Sequence, residues 1–308
     1  MSIDLSGRVA IVTGAGGGLG RAHALLLAKR GARVVVNDLG GSRDGSGGGS
    51  AMAEAVVEEI RAAGGEAFAN GASVTEFGQV QAMVAETVDR WGRVDILVNN
   101  AGILRDRTFA KLDLADFRTV VEVHLMGSIN CTKAVWEQMR SQGYGRIMMT
   151  TSSSGLWGNF GQSHYGAAKL GLVGAMKTLS EEGAKYDIRV NCLAPSAATR
   201  MTADIMDEAE LAALAPEAVS PAMLVLVSEQ APNGMILCAG AGSFECAHIT
   251  MTQGAYIGTG EDAAERLLAS LDRIADRTDE MVPHTGLEQP RFELARAMAQ
   301  TEAALADG

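Results

Sequence analysis

The sequence predicts an α/β fold: one doubly wound sheet of seven parallel strands, helices on both faces, and a helical extension at the carboxyl end. Three observations carry this expectation. Seven short apolar or β-branched runs recur along the 308 residues. Longer stretches with apolar residues every three or four positions lie between them. A glycine-rich turn joins the first run to the first helical stretch. Strict alternation of this kind implies parallel pairing, since each crossover returns through a helix packed on the sheet.

The elements follow in order. Val9–Val12 reads as the first strand and Leu19–Arg30 as the helix after the glycine turn. Arg33–Val36 is the second strand, and Ala51–Ala63 the second helix. Between them Gly40–Ser50 (GGSRDGSGGGS) has the composition of a flexible loop. Glu66–Ala69, Val94–Val98 and Gly145–Met149 are the next strands, separated by helices over Phe77–Trp91 and Leu114–Arg140. Tyr165–Tyr186 is a long helix, followed by strands at Ile188–Cys192 and Met235–Cys238. Beyond that, charged helical patterns cover Asp262–Arg277 and Pro290–Ala306. Residues 1–242 are therefore expected to form one domain, with 243–308 an extension rather than a second domain.

Composition narrows the function. Hydrophobic residues make up 47% and charged residues 20%, as in a globular protein. The formal net charge of −11 argues against a general nucleic-acid binder and against docking on anionic membranes. No stretch of eighteen uninterrupted apolar residues and no signal-like amino terminus is present, so a cytoplasmic protein is expected. Cys131, Cys192, Cys238 and Cys246 form no framework and no metal spacing with the five histidines, so no metal is expected.

Gly14, Gly18, Leu19 and Gly20 (TGAGGGLG) follow a strand and open a helix. Glycine suits the tight turn, the approach of phosphate and close helix–strand packing, and the helix amino end favours anions. This context makes a dinucleotide pyrophosphate the expected ligand. Asp38, at the end of the second strand, can accept both hydroxyls of an adenosine ribose and would repel a 2′-phosphate. NAD is therefore expected over NADP. Asn99, Asn100, Ala101 and Gly102 follow the fourth strand and should line the same crevice.

Proton chemistry is expected from Ser152, Tyr165 and Lys169. Tyr165 and Lys169 are four residues apart, on one helix face, and an ammonium beside a phenol favours its ionised form. Tyr165 could then exchange a proton with an alcohol or ketone while Ser152 fixes the substrate oxygen. Gly161–Tyr165 (GQSHY) is not a Gly-x-Ser-x-Gly elbow, which disfavours a hydrolase. A dinucleotide sensor on the same fold is the non-enzyme alternative, but it has no use for a proton-transfer set.

The motifs Thr-Gly-x-x-x-Gly-x-Gly, Asn-Asn-Ala-Gly, Ser152 and Tyr165-x-x-x-Lys169 together resemble the short-chain dehydrogenase/reductase family, over roughly residues 6–242. The resemblance implies a Rossmann-type sheet and alcohol/ketone oxidoreduction. Asn37–Gly41 with its glycine-rich insertion, Asn99–Arg107 (NNAGILRDR) and Gly158–Gln162 are similar to one branch of that family. That branch oxidises (3R)-hydroxyacyl-CoA to 3-ketoacyl-CoA with NAD and can act on steroids.

The resemblance also assigns roles. It places Ser73 and Val74 at the adenine and Pro195 at the nicotinamide carboxamide, although Ser73 stands where the family usually has Asp. Pro195–Arg200 (PSAATR) replaces the usual Pro-Gly-x-x-x-Thr. His124 stands where the family usually has a relay asparagine, and both a relay role and a buried structural role are open. A homodimer or homotetramer through the Leu114–Arg140 and Tyr165–Tyr186 helices is implied. Arg105, Arg107, Lys111 and Arg200 are candidate partners for the phosphates of an acyl-CoA substrate. A hydroxysteroid, or the side-chain acyl-CoA of a steroid, is the alternative substrate.

Overall fold

The computed structural model describes residues 2–41, 44, 45, 47, 49–197 and 208–306. All seven expected strands form: β1 (Val9–Thr13), β2 (Arg33–Asn37), β3 (Ala67–Asn70), β4 (Ile96–Asn99), β5 (Gly145–Thr150), β6 (Ile188–Ser196) and β7 (Ile236–Gly240). They pair in parallel in the order β3-β2-β1-β4-β5-β6-β7. The strand order reverses between β1 and β4, which opens a crevice at their carboxyl ends.

An eighth strand, β8 (Ser243–Ala247), extends the sheet beyond β7, correcting the expected seven. Ala241 and Gly242 turn the chain with φ of 50° and 78°, the paired positive angles that suit a tight antiparallel hairpin. β8 is mostly exposed, so it carries no apolar run that a sequence pattern would reveal.

Helices α1 (Gly18–Lys29), α2 (Ala51–Ala62) and α3 (Phe77–Trp91) fall where periodicity puts them. The expected Leu114–Arg140 helix is α4 (Leu114–Val121), a π turn (Glu122–Met126) and α5 (Gly127–Gln142). Asp113 caps α4 through a bond from the Ala115 amide, 2.8 Å. A short α6 (Ser153–Trp157) precedes α7 (Ser163–Gly183), and α8 (Glu208–Ala213) and α9 (Pro216–Leu226) precede β7. Neither α8 nor α9 was anticipated. Ala209–Leu226 has the length and hydropathy of a membrane span, but α9 within it buries Val219, Ala222, Met223 and Leu226 in the core.

The core follows from the strands. Val9–Val12, Val34–Val36 and Ile96–Val98 are fully buried, as expected of a sheet covered on both faces. The chain divides into two compact units, Met1–Cys246 and Ala247–Gly308. The second contains α10 (Ala263–Ala269), α11 (Leu271–Ile274), α12 (Glu288–Ala306) and an isolated antiparallel bridge between Met251 and Met281.

Candidate active site

The glycine turn is built against β4. Gly14 has φ of 63°, and a Cβ there would come within 2.7 Å of the Ala101 Cα. A Cβ on Gly20 would overlap the Gly14 carbonyl oxygen, so this helix–strand contact requires glycine. Asn100 Nδ2 donates to the carbonyls of Thr13 and Gly14, both at 3.0 Å. The Thr13 hydroxyl accepts the Asn100 and Ala101 amides at 3.0 and 3.1 Å. The Asn-Asn-Ala-Gly segment thus braces the turn. Thr13, the first residue of the glycine motif, is its second brace.

Helix α1 begins after Gly17, which has no side chain to cap it, and its first turn holds no acidic residue. That leaves the amino end suited to an anion. Asp38 accepts the Gly16 amide at 2.8 Å and the Gly40 amide at 2.7 Å, fixing its carboxylate beside the glycine turn. These residues fit a dinucleotide: a phosphate cradle at one end of β1 and a carboxylate for ribose hydroxyls at the end of β2.

Val74 is nearly buried and packs on Gly127 at the start of α5, where a Cβ would come within 2.7 Å of it. The Val74 carbonyl accepts Asn130 Nδ2 at 2.9 Å. Ser73 spends its hydroxyl on Thr75, 2.9 Å. Pro195 lies near the carboxyl end of β6, paired with Ala239 of β7. Arg200 lies outside the described residues.

Ser152, at the end of β5, caps α6 by accepting the Ser154 amide at 3.2 Å. Tyr165 lies on the first turn of α7, with Lys169 one turn further. Lys169 Nζ is buried, lies 5.5 Å from the Tyr165 ring centre and donates to the Thr150 carbonyl at 2.6 Å. Burial lowers its pKa to about 7. Burial raises the Tyr165 phenol above its ordinary value; a hydrogen bond with Ser152 opposes this, and the charge of Asp106 reinforces it. Of these influences on the phenol, burial is the largest.

His124 sits in the π turn, buried, with its ring edge-on to Tyr165 at 5.1 Å. Its Nε2 meets the Ile103 carbonyl at 2.8 Å and the Ile103 amide at 3.1 Å. Its Nδ1 is buried without a partner among the described residues. Burial, then the charge of Lys169, lowers its pKa to about 3, so the ring is neutral at physiological pH.

Two site residues escaped the sequence reading. His164 is fully buried; its Nε2 donates to the Arg105 carbonyl at 3.0 Å, and its Nδ1 accepts the Tyr165 amide at 2.9 Å. Asp106 Oδ2 accepts Gln162 Nε2 at 2.7 Å. His164 adjoins the tyrosine and Asp106 lies in NNAGILRDR, yet only the fold brings them together. Of the expected phosphate partners, Arg105 pairs with Asp116 at 2.6 Å and donates to the Asp44 carbonyl at 3.0 Å. Arg107 and Lys111 are exposed. An 860 Å³ cavity lies elsewhere, lined by Lys29, Arg33 and Gly65 near the amino end of β2, and contains none of these groups.

A pyrophosphate cradle feeding a Ser/Tyr/Lys proton set defines an oxidoreductase of the nicotinamide-dependent kind, and the chain belongs to the short-chain dehydrogenase family, whose profile matches residues 8–210. It is 46% identical over 286 residues to mouse peroxisomal multifunctional enzyme type 2, covering 92% of this chain and 38% of that one. That match is longer than the first compact unit, so this likeness reaches past residue 246. The structure of full-length peroxisomal multifunctional enzyme type 2 from Drosophila melanogaster superposes with a TM-score of 0.79 at 34% identity, over 97% of this chain and 50% of that one. A 7α-hydroxysteroid dehydrogenase, solved with NADH and 7-oxo glycochenodeoxycholic acid, gives 0.69 at 29% identity over 78% of this chain and 95% of that one. The chain thus spans half or less of the two multifunctional enzymes.

Proposed function

We propose that this protein oxidises (3R)-hydroxyacyl-CoA to 3-ketoacyl-CoA with NAD. The observation that carries the chemistry is the meeting of Ser152, Tyr165 and Lys169 where the carboxyl end of β5 faces the first turns of α7, beside the braced glycine turn. The similarity to the multifunctional enzymes supports the acyl-CoA substrate. NAD is favoured because a 2′-phosphate would meet the Asp38 carboxylate.

A nicotinamide dinucleotide, held by the glycine turn and Asp38, would supply the hydride acceptor. The chain itself handles the proton. The Ser152 hydroxyl holds the substrate oxygen, the Tyr165 oxygen takes its proton, and Lys169 supplies a nearby positive charge. His124, neutral and bonded to Ile103, holds the segment after β4 beside the tyrosine. In the reverse direction the Tyr165 hydroxyl returns the proton to the ketone.

A hydroxysteroid is the second reading, favoured by the likeness to the 7α-hydroxysteroid dehydrogenase. One experiment separates them: kcat/KM for 3-hydroxyacyl-CoAs of both configurations and for hydroxysteroids, each with NAD and with NADP. The highest value is expected for a (3R)-hydroxyacyl-CoA with NAD. A steroid that outperforms every acyl-CoA would replace the substrate, and a preference for NADP would remove the role given to Asp38.

A further inference from the structure

The segment after β4 and the loop before α7 are clasped at three successive residues. His164 donates to the Arg105 carbonyl, Gln162 to Asp106 Oδ2, and the Arg107 amide to the Gly161 carbonyl at 3.0 Å. Gln162 Oε1 accepts Asn159 Nδ2 at 3.2 Å, closing the loop on itself. Tyr165 donates its own amide to His164 Nδ1, so the clasp ends on the backbone that carries the phenol. The double role of His164 requires the neutral tautomer with the proton on Nε2.

Asp106 is the only acid in the clasp, and half of its carboxylate has no structural use. Its Oδ1 is buried without a hydrogen-bond partner among the described residues. No described cation pairs with it: Arg105 is committed to Asp116, and Arg107 Nη1 bonds the Asp106 main-chain carbonyl at 3.1 Å. Leaving a carboxylate oxygen buried and unpaired is costly, and such groups concentrate where a charge has a task.

We propose that Asp106 is a positioning residue for Tyr165, fixing the loop that delivers the phenol and presenting a fixed negative charge to it. The inference rests on the assignment of Tyr165 as the proton acceptor. The groups that act on the phenol are Ser152 at the start of α6, Lys169 on α7, His124 in the π turn and the charge of Asp106 after β4, while His164 holds the Tyr165 amide. Ser152 favours the ionised form, whereas burial and Asp106 oppose it. Burial lowers the pKa of Lys169 to about 7 and of His124 to about 3, and raises that of the phenol. The positive charge of an oxidised nicotinamide would offset Asp106, so that Tyr165 becomes a base chiefly when the cofactor needed for oxidation is present.

The test is an ultraviolet difference titration of phenolate in the protein without cofactor, taking Tyr165→Phe as the reference, which is practicable with four tyrosines in the chain. Asp106→Asn keeps an acceptor for Gln162 and removes the charge, so the Tyr165 midpoint should move to lower pH. Gln162→Leu breaks the clasp and keeps the charge. Its midpoint should not fall, while kcat drops by roughly 10- to 100-fold from a misplaced phenol. Asp106→Glu should restore the midpoint. The same midpoint in wild type and Asp106→Asn, or a lower one in Gln162→Leu, overturns the proposal. The titration needs no substrate, so a wrong substrate assignment leaves it intact. If the midpoint shifts while the pH profile of kcat/KM does not, Asp106 keeps its hold on the phenol and Tyr165 loses its role as base.

Discussion

A buried phenol is a poor base, and Tyr165 is held in that state until other charges arrive. Its replacement by Phe removes only the oxygen proposed to move the proton. Tyr165→Phe should therefore bind NAD with unchanged affinity while kcat falls by roughly 10²- to 10⁴-fold, the scale of a lost general acid or base. Near-normal turnover would remove Tyr165 from the chemistry. The proposed preference for NAD rests on Asp38. Its two oxygens already accept two backbone amides, so the carboxylate is held in place before any ribose arrives. Asp38→Ala should weaken NAD and tolerate NADP, narrowing the ratio of their kcat/KM values. An unchanged ratio would show that discrimination lies elsewhere. Ser152, Tyr165, Lys169 and Asp38 were legible in the sequence because each falls in a motif of fixed spacing. Asp106 and His164 were not, since their partners lie 56 and 59 residues away.

Among the elements, α1 meets β1 and β4 with no space for a side chain at Gly20. Gly20→Ala must push the helix off the Gly14 carbonyl and displace the Asn100 brace. Overpacking of this kind costs about 1–3 kcal/mol, and here it also deforms the phosphate cradle. The variant should lose stability in urea and lose NAD affinity together; retention of both would mean the turn adapts. On its other side α1 meets α9 through His23, whose Nδ1 lies 2.9 Å from the Ser220 hydroxyl. Burial lowers the His23 pKa to about 3 from 6.5. Below pH 6.5 the unfolded chain binds a proton that the folded chain does not. Stability is thus present above that pH and is lost as pH falls toward 3. His124 contributes in the same direction. Each should cost on the order of 2 kcal/mol by pH 5. Urea unfolding of wild type and His23→Leu at pH 7 and pH 5 checks this. The variant should show the smaller drop, and equal drops would mean that His23 stays protonated when folded.

For the whole molecule, one face of α7 is not used by its own sheet. Ala167, Leu170 and Gly174 are exposed at helical spacing, Leu170 at 46%, and a Cβ on Gly174 would meet nothing within 4 Å. Small residues around one apolar side chain suit close packing of a second helix. We expect the protein to form a homo-oligomer through this face, and Leu170→Arg to shift it toward monomer in size-exclusion chromatography with light scattering. A monomeric wild type would overturn that expectation. The face was legible in the sequence as small residues on a long helix, but only the fold shows that the sheet leaves them uncovered.

The sequence by itself determined the sheet: seven runs, their parallel order of use and the glycine turn follow from local patterning, because strand and helix periods are written into neighbouring residues. It placed Ser152, Tyr165 and Lys169 together for the same reason. Tertiary structure alone decided three things. β8 formed where a tight turn, rather than apolar residues, directed the chain. His124 settled in a π turn because the Ile103 backbone lies within reach of its ring. The surroundings of the phenol are burial, the Ser152 hydroxyl and the charge of Asp106, a residue distant in sequence. Desolvation and long-range charge depend on what the fold brings near, and no local pattern encodes them.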